Sequence, residues 1–160
     1  MIRRAAAGDV DAVAALFRRS FGTLDFLPTL HTPEEDRQFL GRVIAEQDVW
    51  VADRDGTILG FLSLDGDVGT FFYVDPQEHG GGVGSALFEQ AQRVRPDGFE
   101  FWVFQRNDKA RRFYERRNCR AVRFTDGSAN EEQEPDVLYE WRPATPAPSP
   151  AAEDRGSNGR

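Results

Sequence analysis

Residues 49–65, VWVADRDGTILGFLSLD, place two β-rich runs on either side of Asp55 and Gly56, a dipeptide suited to a tight hairpin turn. A third such run, GTFFYVD, follows at residues 69–75. Strands joined by so short a turn run antiparallel, so the sheet they open cannot be wholly parallel. Beyond it the pattern changes to the helix-like GSALFEQAQRVR, the strand-like GFEFWVFQ, the helix-like NDKARRFYERRN and two more strands, RAVRFTD and DVLYEWR. Ahead of the hairpin, IRRA reads as a short strand and GDVDAVAALFRRSF as a helix with Asp9 as its N-cap. TPEEDRQFLGRVIAEQ carries a second helix start, with Thr32 as N-cap, Pro33 at the first helical position and Glu35 completing a capping box. The predicted order is β-α-α-β-β-β-α-β-α-β-β, a mixed α/β domain.

With 160 residues the chain makes one domain, residues 1–142. From Pro143 the composition shifts to PATPAPSPAAEDRGSNGR, a tail that buries no core and is predicted to be disordered. The net charge of −7 argues against general nucleic-acid binding, which needs many cations to displace counterions from phosphates. That charge is uneven: residues 93–123 hold ten basic side chains against four acidic ones. A local basic surface on an acidic protein suits either a solvated helix face or an anion site. Cys119 is alone, which rules out an internal disulfide, and reads as a packed small residue. No run of about 18 apolar residues offers a membrane span, and MIRRAAAGDVD lacks the apolar core of a signal peptide. A cytoplasmic protein with neither membrane nor nucleic-acid partner is expected, and no metal site.

GGGVG at residues 80–84 sits between the strand ending near Val74 and the next helix. At such a junction the unpaired amides and the positive end of the helix dipole attract an anion. Gly80, Gly81, Gly82 and Gly84 would remove the side chains that keep a phosphate away, and a pyrophosphate is the natural guest. The P-loop pattern is absent, and the dinucleotide spacing G-x-G-x-x-G does not fit.

Two stretches together resemble the GCN5-related N-acetyltransferases (GNAT superfamily), which bind acetyl-CoA. Val74, Pro76, Gly82 and Gly84 match that family's loop, with His79 where Arg or Gln is usual. Asn107, Ala110, Phe113, Tyr114 and Glu115 match its later motif. Asn118 and Cys119 replace the usual Gly-Phe after it, and Asn tolerates the left-handed helix-ending conformation. The resemblance covers residues 1–142 and implies a largely antiparallel sheet whose central strands splay apart, flanked by helices.

It also implies the reaction, transfer of an acetyl group from acetyl-CoA to an amine of a small molecule or peptide by direct attack. The pyrophosphate would lie on the amides of His79, Gly80, Gly81, Gly82, Val83, Gly84 and Ser85, and backbone groups near Tyr73 and Val74 would hold the pantetheine arm. Tyr114 would protonate the departing thiolate. Asn107 would bond the pantetheine or cap its helix, and Lys109, Arg111, Arg112 and Arg116 are within the reach of phosphates or solvated. With His79 in the loop, CoA is expected to bind more weakly than with Arg there, because a mostly neutral imidazole lacks the fixed charge.

An aliphatic amine is protonated at neutral pH, so a base must first take its proton. The acidic segment TDGSANEEQEPD, between the last two strands, nominates Glu132 or Glu131, with His31 as an alternative base. Phe26, Leu27 and His31 are candidates for the acceptor pocket or for packing. Two alternatives keep this fold without acetyl transfer: a protein that sequesters a small molecule, and an enzyme of other chemistry. Retention of both the glycine loop and Tyr114 favours the transferase. A homodimer is possible in such a family.

Overall fold

Thr32 shows how local chemistry places an element. Its hydroxyl accepts from the Glu35 amide at 3.1 Å, the Glu35 carboxylate accepts from the Thr32 amide at 2.8 Å, and Pro33 fills the first helical position. In the computed structural model, which describes residues 1–78 and 80–144, this box opens helix α2 (Pro33–Glu46). Its companions are α1 (Val10–Phe21), α3 (Val83–Val94) and α4 (Asp108–Glu115). The strands are β1 (Ile2–Arg4), β2 (Asp48–Arg54), β3 (Thr57–Asp65), β4 (Val68–Val74), β5 (Phe99–Phe104), β6 (Arg120–Phe124) and β7 (Asp136–Trp141). The element order is the one that periodicity and turn chemistry predict.

One cap differs. Asp9 makes no side-chain bond to the start of α1. A single 3₁₀ turn, Ala7–Asp9, precedes that helix, and the Asp9 carboxylate turns back to accept from the Ala6 amide at 2.7 Å and from both Arg3 terminal nitrogens at 2.9 Å. A two-pronged charged partner outcompetes a backbone amide.

The β2–β3 hairpin closes with Asp55 at φ 52° and Gly56 at φ 90°, both left-handed, as a two-residue turn requires. All seven strands form one sheet in the order β1-β2-β3-β4-β5-β7-β6. Every pairing is antiparallel except β4 with β5, and that pair keeps register only at Val68 with Glu100 and Gly69 with Phe101. Past Gly69 the two central strands diverge and leave a wedge-shaped gap in mid-sheet.

The sheet is covered on both faces near its middle, which is why β3 reads as a continuous apolar run rather than an alternating one. One face packs Val13, Leu16, Leu40, Val43 and Phe61 between α1, α2 and the strands. The other packs Leu64, Leu87, Phe88, Phe101, Tyr114 and Tyr139 beneath α3 and α4. Each such fully buried Leu or Phe contributes about 1.5–3 kcal/mol. Residues 145–160, most of the segment predicted to be a disordered tail, and His79 lie outside the described residues. Among the described residues no helix is long and apolar enough to cross a membrane.

Candidate active site

The hydrogen-bond phase of the two central strands decides what the gap offers. Asp75 donates to Leu59 at 2.8 Å, so Tyr73 pairs with Phe61 through its backbone while Phe72 and Val74 direct theirs away from β3, into the gap. Gln105 donates to Pro135 at 2.9 Å, which by the same alternation turns the backbone of Trp102 and Phe104 away from β7 and toward the gap. Two of these acceptors are already used: the Val74 carbonyl takes a bond from the Ser20 hydroxyl at 3.0 Å, and the Phe104 carbonyl one from the Asn107 amide at 3.0 Å. The amides of Phe72, Val74, Trp102 and Phe104 stay directed into the gap. The sequence nominates backbone groups near Tyr73 and Val74; of these, strand alternation turns those of Phe72 and Val74 into the gap and that of Tyr73 toward β3. Tyr73 itself, with Leu24, Phe101, Phe104, Asn107 and Tyr114, lines a cavity of about 120 Å³ in the gap.

At the far end of β4 the glycine loop leads into α3. Gly80 and Gly82 sit at φ 86° and 84°, and apart from the adjoining residues no atom of the described residues lies within 4 Å of where their Cβ atoms would be, so the left-handed backbone presents an open surface. Ala86 donates to Gly82 at 3.0 Å in the first helical bond, which leaves the amides of Val83, Gly84 and Ser85 without a partner inside the helix. The other predicted loop contacts separate by role. The Gly81 amide is spent on Glu78 at 3.1 Å. A Cβ on Gly84 would stand 3.2 Å from the Phe113 ring, so this glycine lets α3 pack against α4. The Ser85 hydroxyl accepts from Arg117, whose guanidinium lies 3.5 Å from the Phe113 ring centroid. Arg117 is the cation beside the start of α3, and sequence reading passed over it; its spacing of four from Phe113 is the helical signal that marks the pair. Burial, followed by neighbouring Arg116, lowers its pKa. Arg111 turns away instead, donating to the Tyr139 hydroxyl at 3.0 Å and the Gln105 carbonyl at 3.3 Å.

Tyr114 is 7% exposed and packs 4.3 Å from the Phe101 ring centroid. Its hydroxyl makes no hydrogen bond among the described residues, yet no fully enclosed side-chain N or O is left unpaired there, so the hydroxyl opens onto the cavity it lines. Burial, then Cys119 and Tyr73, raises its pKa and keeps it a neutral donor. Asn107 caps α4 through its side chain, accepting from the Ala110 amide at 3.2 Å, and also lines the cavity.

The opposite wall is made of two loops. His31 and Glu131, nominated separately, meet through the His31 Nε2 atom and a Glu131 carboxylate oxygen, joining the α1–α2 loop to the β6–β7 loop. Arg106 donates twice to Glu134, at 2.8 and 2.9 Å, while its guanidinium lies 4.6 Å from the Phe26 ring, which meets Phe104 edge-on at 6.1 Å. That pairing holds the Glu134 carboxyl below its ordinary range. Leu27 does not line the cavity; Leu24 does, and the Leu27 amide only closes a turn onto the Leu24 carbonyl at 3.1 Å.

The acidic segment divides by function. Asp126 closes its own turn onto Ser128 at 2.9 Å, and buried Asp136 accepts from Thr125 and from Asn130 at 3.1 Å. Glu131 is taken up by His31. Glu132 instead lines a second cavity, of about 420 Å³, with Trp102, Phe104 and Arg123. Its charge is felt at Tyr73, whose phenol burial, followed by Glu132, pushes above its usual range. Geometry therefore separates the two carboxylates, one lining a cavity and the other engaged with His31. Trp102 and Phe104 escaped sequence reading, although alternation in FEFWVFQ puts them opposite the buried Phe101 and Val103.

Comparison with known proteins bears on this arrangement. The model of the acetyltransferase (GNAT) domain family matches residues 45–118, from the end of α2 through α4. The peptidyl-lysine N-acetyltransferase YjaB of Salmonella typhimurium is 31% identical over 118 residues, 72% of this chain and 79% of that protein. The solution structure of apo-form YjaB from Escherichia coli superimposes with a TM-score of 0.73 at 24% identity, over 88% of this chain and 96% of that one. PaiA N-acetyltransferase from Thermoplasma acidophilum, solved in complex with coenzyme A, gives 0.71 at 16% identity over 89% and 98%. These two structures share the splayed mixed fold, and the family match spans both the glycine loop and the helix bearing Tyr114. The chain thus belongs to the GCN5-related N-acetyltransferase superfamily and is an N-acetyltransferase.

Proposed function

We infer that the enzyme transfers an acetyl group from acetyl-CoA to the side-chain amine of a lysine in a polypeptide, using the gap between β4 and β5 as the meeting place of the two substrates. The observation that carries this reading is the continuity of unpaired donors from the gap to the start of α3. The amides of Phe72, Val74, Trp102 and Phe104 face the gap, and those of Val83, Gly84 and Ser85, at the helix start beside Arg117, make no hydrogen bond among the described residues. The fit to the co-substrate is specific in kind: an amide-bearing arm suits open strand edges, and a pyrophosphate suits a helix N-terminus stripped of side chains. The lysine acceptor is the chemistry named for the Salmonella relative, and Glu132, which has no ion-pair or hydrogen-bond partner among the described residues, suits a cationic amine.

Glu132 takes the proton of the incoming ammonium, directly or through one water. The freed nitrogen lone pair then forms the new bond to the acyl carbon as the carbon–sulfur bond breaks; Tyr114 gives its proton to the departing sulfur, and the proton shed by the newly acylated nitrogen restores the Tyr114 phenol, leaving a neutral amide and a neutral thiol. Gap-facing amides of β4 stabilise the negative charge that develops on the acyl oxygen. Phe104 and Tyr73, which line the cavity in the gap, exclude water from the meeting point. Positioning of the two substrates supplies much of the rate, and no covalent enzyme intermediate is needed.

Gly82→Glu places a carboxylate and a strained left-handed backbone where the pyrophosphate would lie. Calorimetric titration with acetyl-CoA and free CoA is expected to show binding by the natural chain and a loss of more than about 100-fold in the variant. Absence of binding by the natural chain, or equal binding by both, would overturn the reading.

A further inference from the structure

The 420 Å³ cavity lies beside the gap, on the face of β5, β7 and β6 where Trp102 remains 42% exposed. Trp102, Leu138 and Arg123 form one cross-strand row, and Arg123 reaches back along it to place its guanidinium 5.4 Å from the Trp102 ring centroid. The surrounding arginines are neutralised: Arg120 by Glu140 at 2.6 Å, Arg142 by the same carboxylate at 3.4 Å, and Arg106 by Glu134 at 2.8 Å. Arg123 makes no ion pair among the described residues, and of these four it is the one that lines the cavity. Glu132 lines the same cavity on the side from which its charge reaches Tyr73 and the gap.

One cavity thus presents a carboxylate toward the reacting end, an aromatic floor, and an unneutralised guanidinium stacked on that floor. We propose that Arg123 and Trp102 form a subsite for a carboxylate carried by the acceptor, so that the enzyme selects lysines with Asp or Glu beside them in sequence. This rests on the acetyl-transfer reading above. An extended peptide advances about 3.3 Å per residue, so a lysine amine directed into the gap brings its immediate neighbours over Trp102. There Arg123 meets a carboxylate through a charge-assisted, two-pronged hydrogen bond. The net charge of −7 repels acidic peptides at long range, which makes the local cation the source of any preference for them.

The test uses two peptides with blocked termini, Gly-Asp-Lys-Asp-Gly and Gly-Arg-Lys-Arg-Gly, titrated calorimetrically into the CoA-saturated full chain. The acidic peptide is expected to bind about tenfold more tightly to the natural enzyme. R123A should flatten that preference and R123E should invert it, with melting temperatures confirming that both variants fold. Failure of the acidic peptide to bind, equal or tighter binding of the basic peptide by the natural enzyme, or the same order in R123E would overturn the proposal. Acetyl transfer is followed separately by release of the CoA thiol. Binding that depends on Arg123 without any turnover would strike the transfer reading while leaving the peptide subsite standing.

Discussion

The two sides of the gap are built by different means. On the α3–α4 side, function rests on regular elements and on backbone: strand amides left free by divergence, a helix start cleared by glycines, and Tyr114 locked among Phe72, Phe88, Phe101 and Tyr139. On the other side, two loops are held by side-chain contacts, to each other through His31 and Glu131 and to the end of β5 through Arg106 with Glu134 and Phe26 with Phe104. A site made of backbone and helix ends survives sequence change as long as the fold does. A site made of loop side chains is free to diverge, which suits a common acyl donor on one side and a particular acceptor on the other.

Replacing Tyr114 by Phe tests the rigid side most severely. The ring packing is kept and only the proton donor is lost, so kcat should fall about 10²–10³-fold while affinity for acetyl-CoA changes less than about twofold. Steady-state kinetics together with calorimetry separates the two, and a parallel loss of binding would make Tyr114 a packing residue.

The loop side is tested next by a pair of isosteric changes. Glu132→Gln should lower kcat about 10–100-fold and Glu131→Gln less than about threefold, since only Glu132 lines the cavity beside the gap. Equal effects would erase the distinction between the two carboxylates.

Arg106→Ala releases the clamp without touching the glycine loop. The acceptor KM should rise about three- to tenfold with CoA affinity unchanged. Because Arg106 holds the Glu134 carboxyl below its usual range, the clamp is present above the ordinary carboxylate pKa and is lost as pH falls through the lower folded value. Acceptor KM of the natural enzyme should therefore stay flat through neutrality and climb only in acid.

The rigid side fails at the opposite end of the pH scale, and by the smallest margin. Burial pushes the Cys119 thiol up to about 12, so the unfolded chain ionises first. Its contribution is intact below the ordinary thiol pKa and fades as pH rises through the folded one, at no more than about 1.4 kcal/mol per pH unit. Urea midpoints of Cys119→Ala should fall less steeply than those of the natural chain between about pH 9 and 11.

Much of the rigid side was legible in the order of residues, because it depends on local rules. Asp55-Gly56 announces the hairpin, Thr32-Pro33 with Glu35 announces α2, and the glycines followed by a helical pattern announce the junction where amides are left free. Asn118, at φ 63°, ends α4 in the left-handed conformation expected of it. What misled was competition between partners. Asp9 suits an N-cap until Arg3, from the first strand, claims its carboxylate. Tyr73 and Val74 are adjacent, yet ladder phase turns one backbone toward β3 and the other into the gap.

Nothing in the linear spacing joins His31 to Glu131, 100 positions apart, or Arg106 to Glu134, 28 positions apart. The sequence by itself determined the elements, their order, the glycine junction and the placement of Tyr114 on a helix, since each follows from hydrogen bonds and periodicities that span a few residues. Only the tertiary structure decided which of five clustered carboxylates faces a cavity with no partner among the described residues, which arginine stands at the helix start and which lies on Trp102 with no ion pair among those residues. Those assignments depend on charged side chains choosing among partners from distant segments, and the choice exists only once the sheet has brought those segments together.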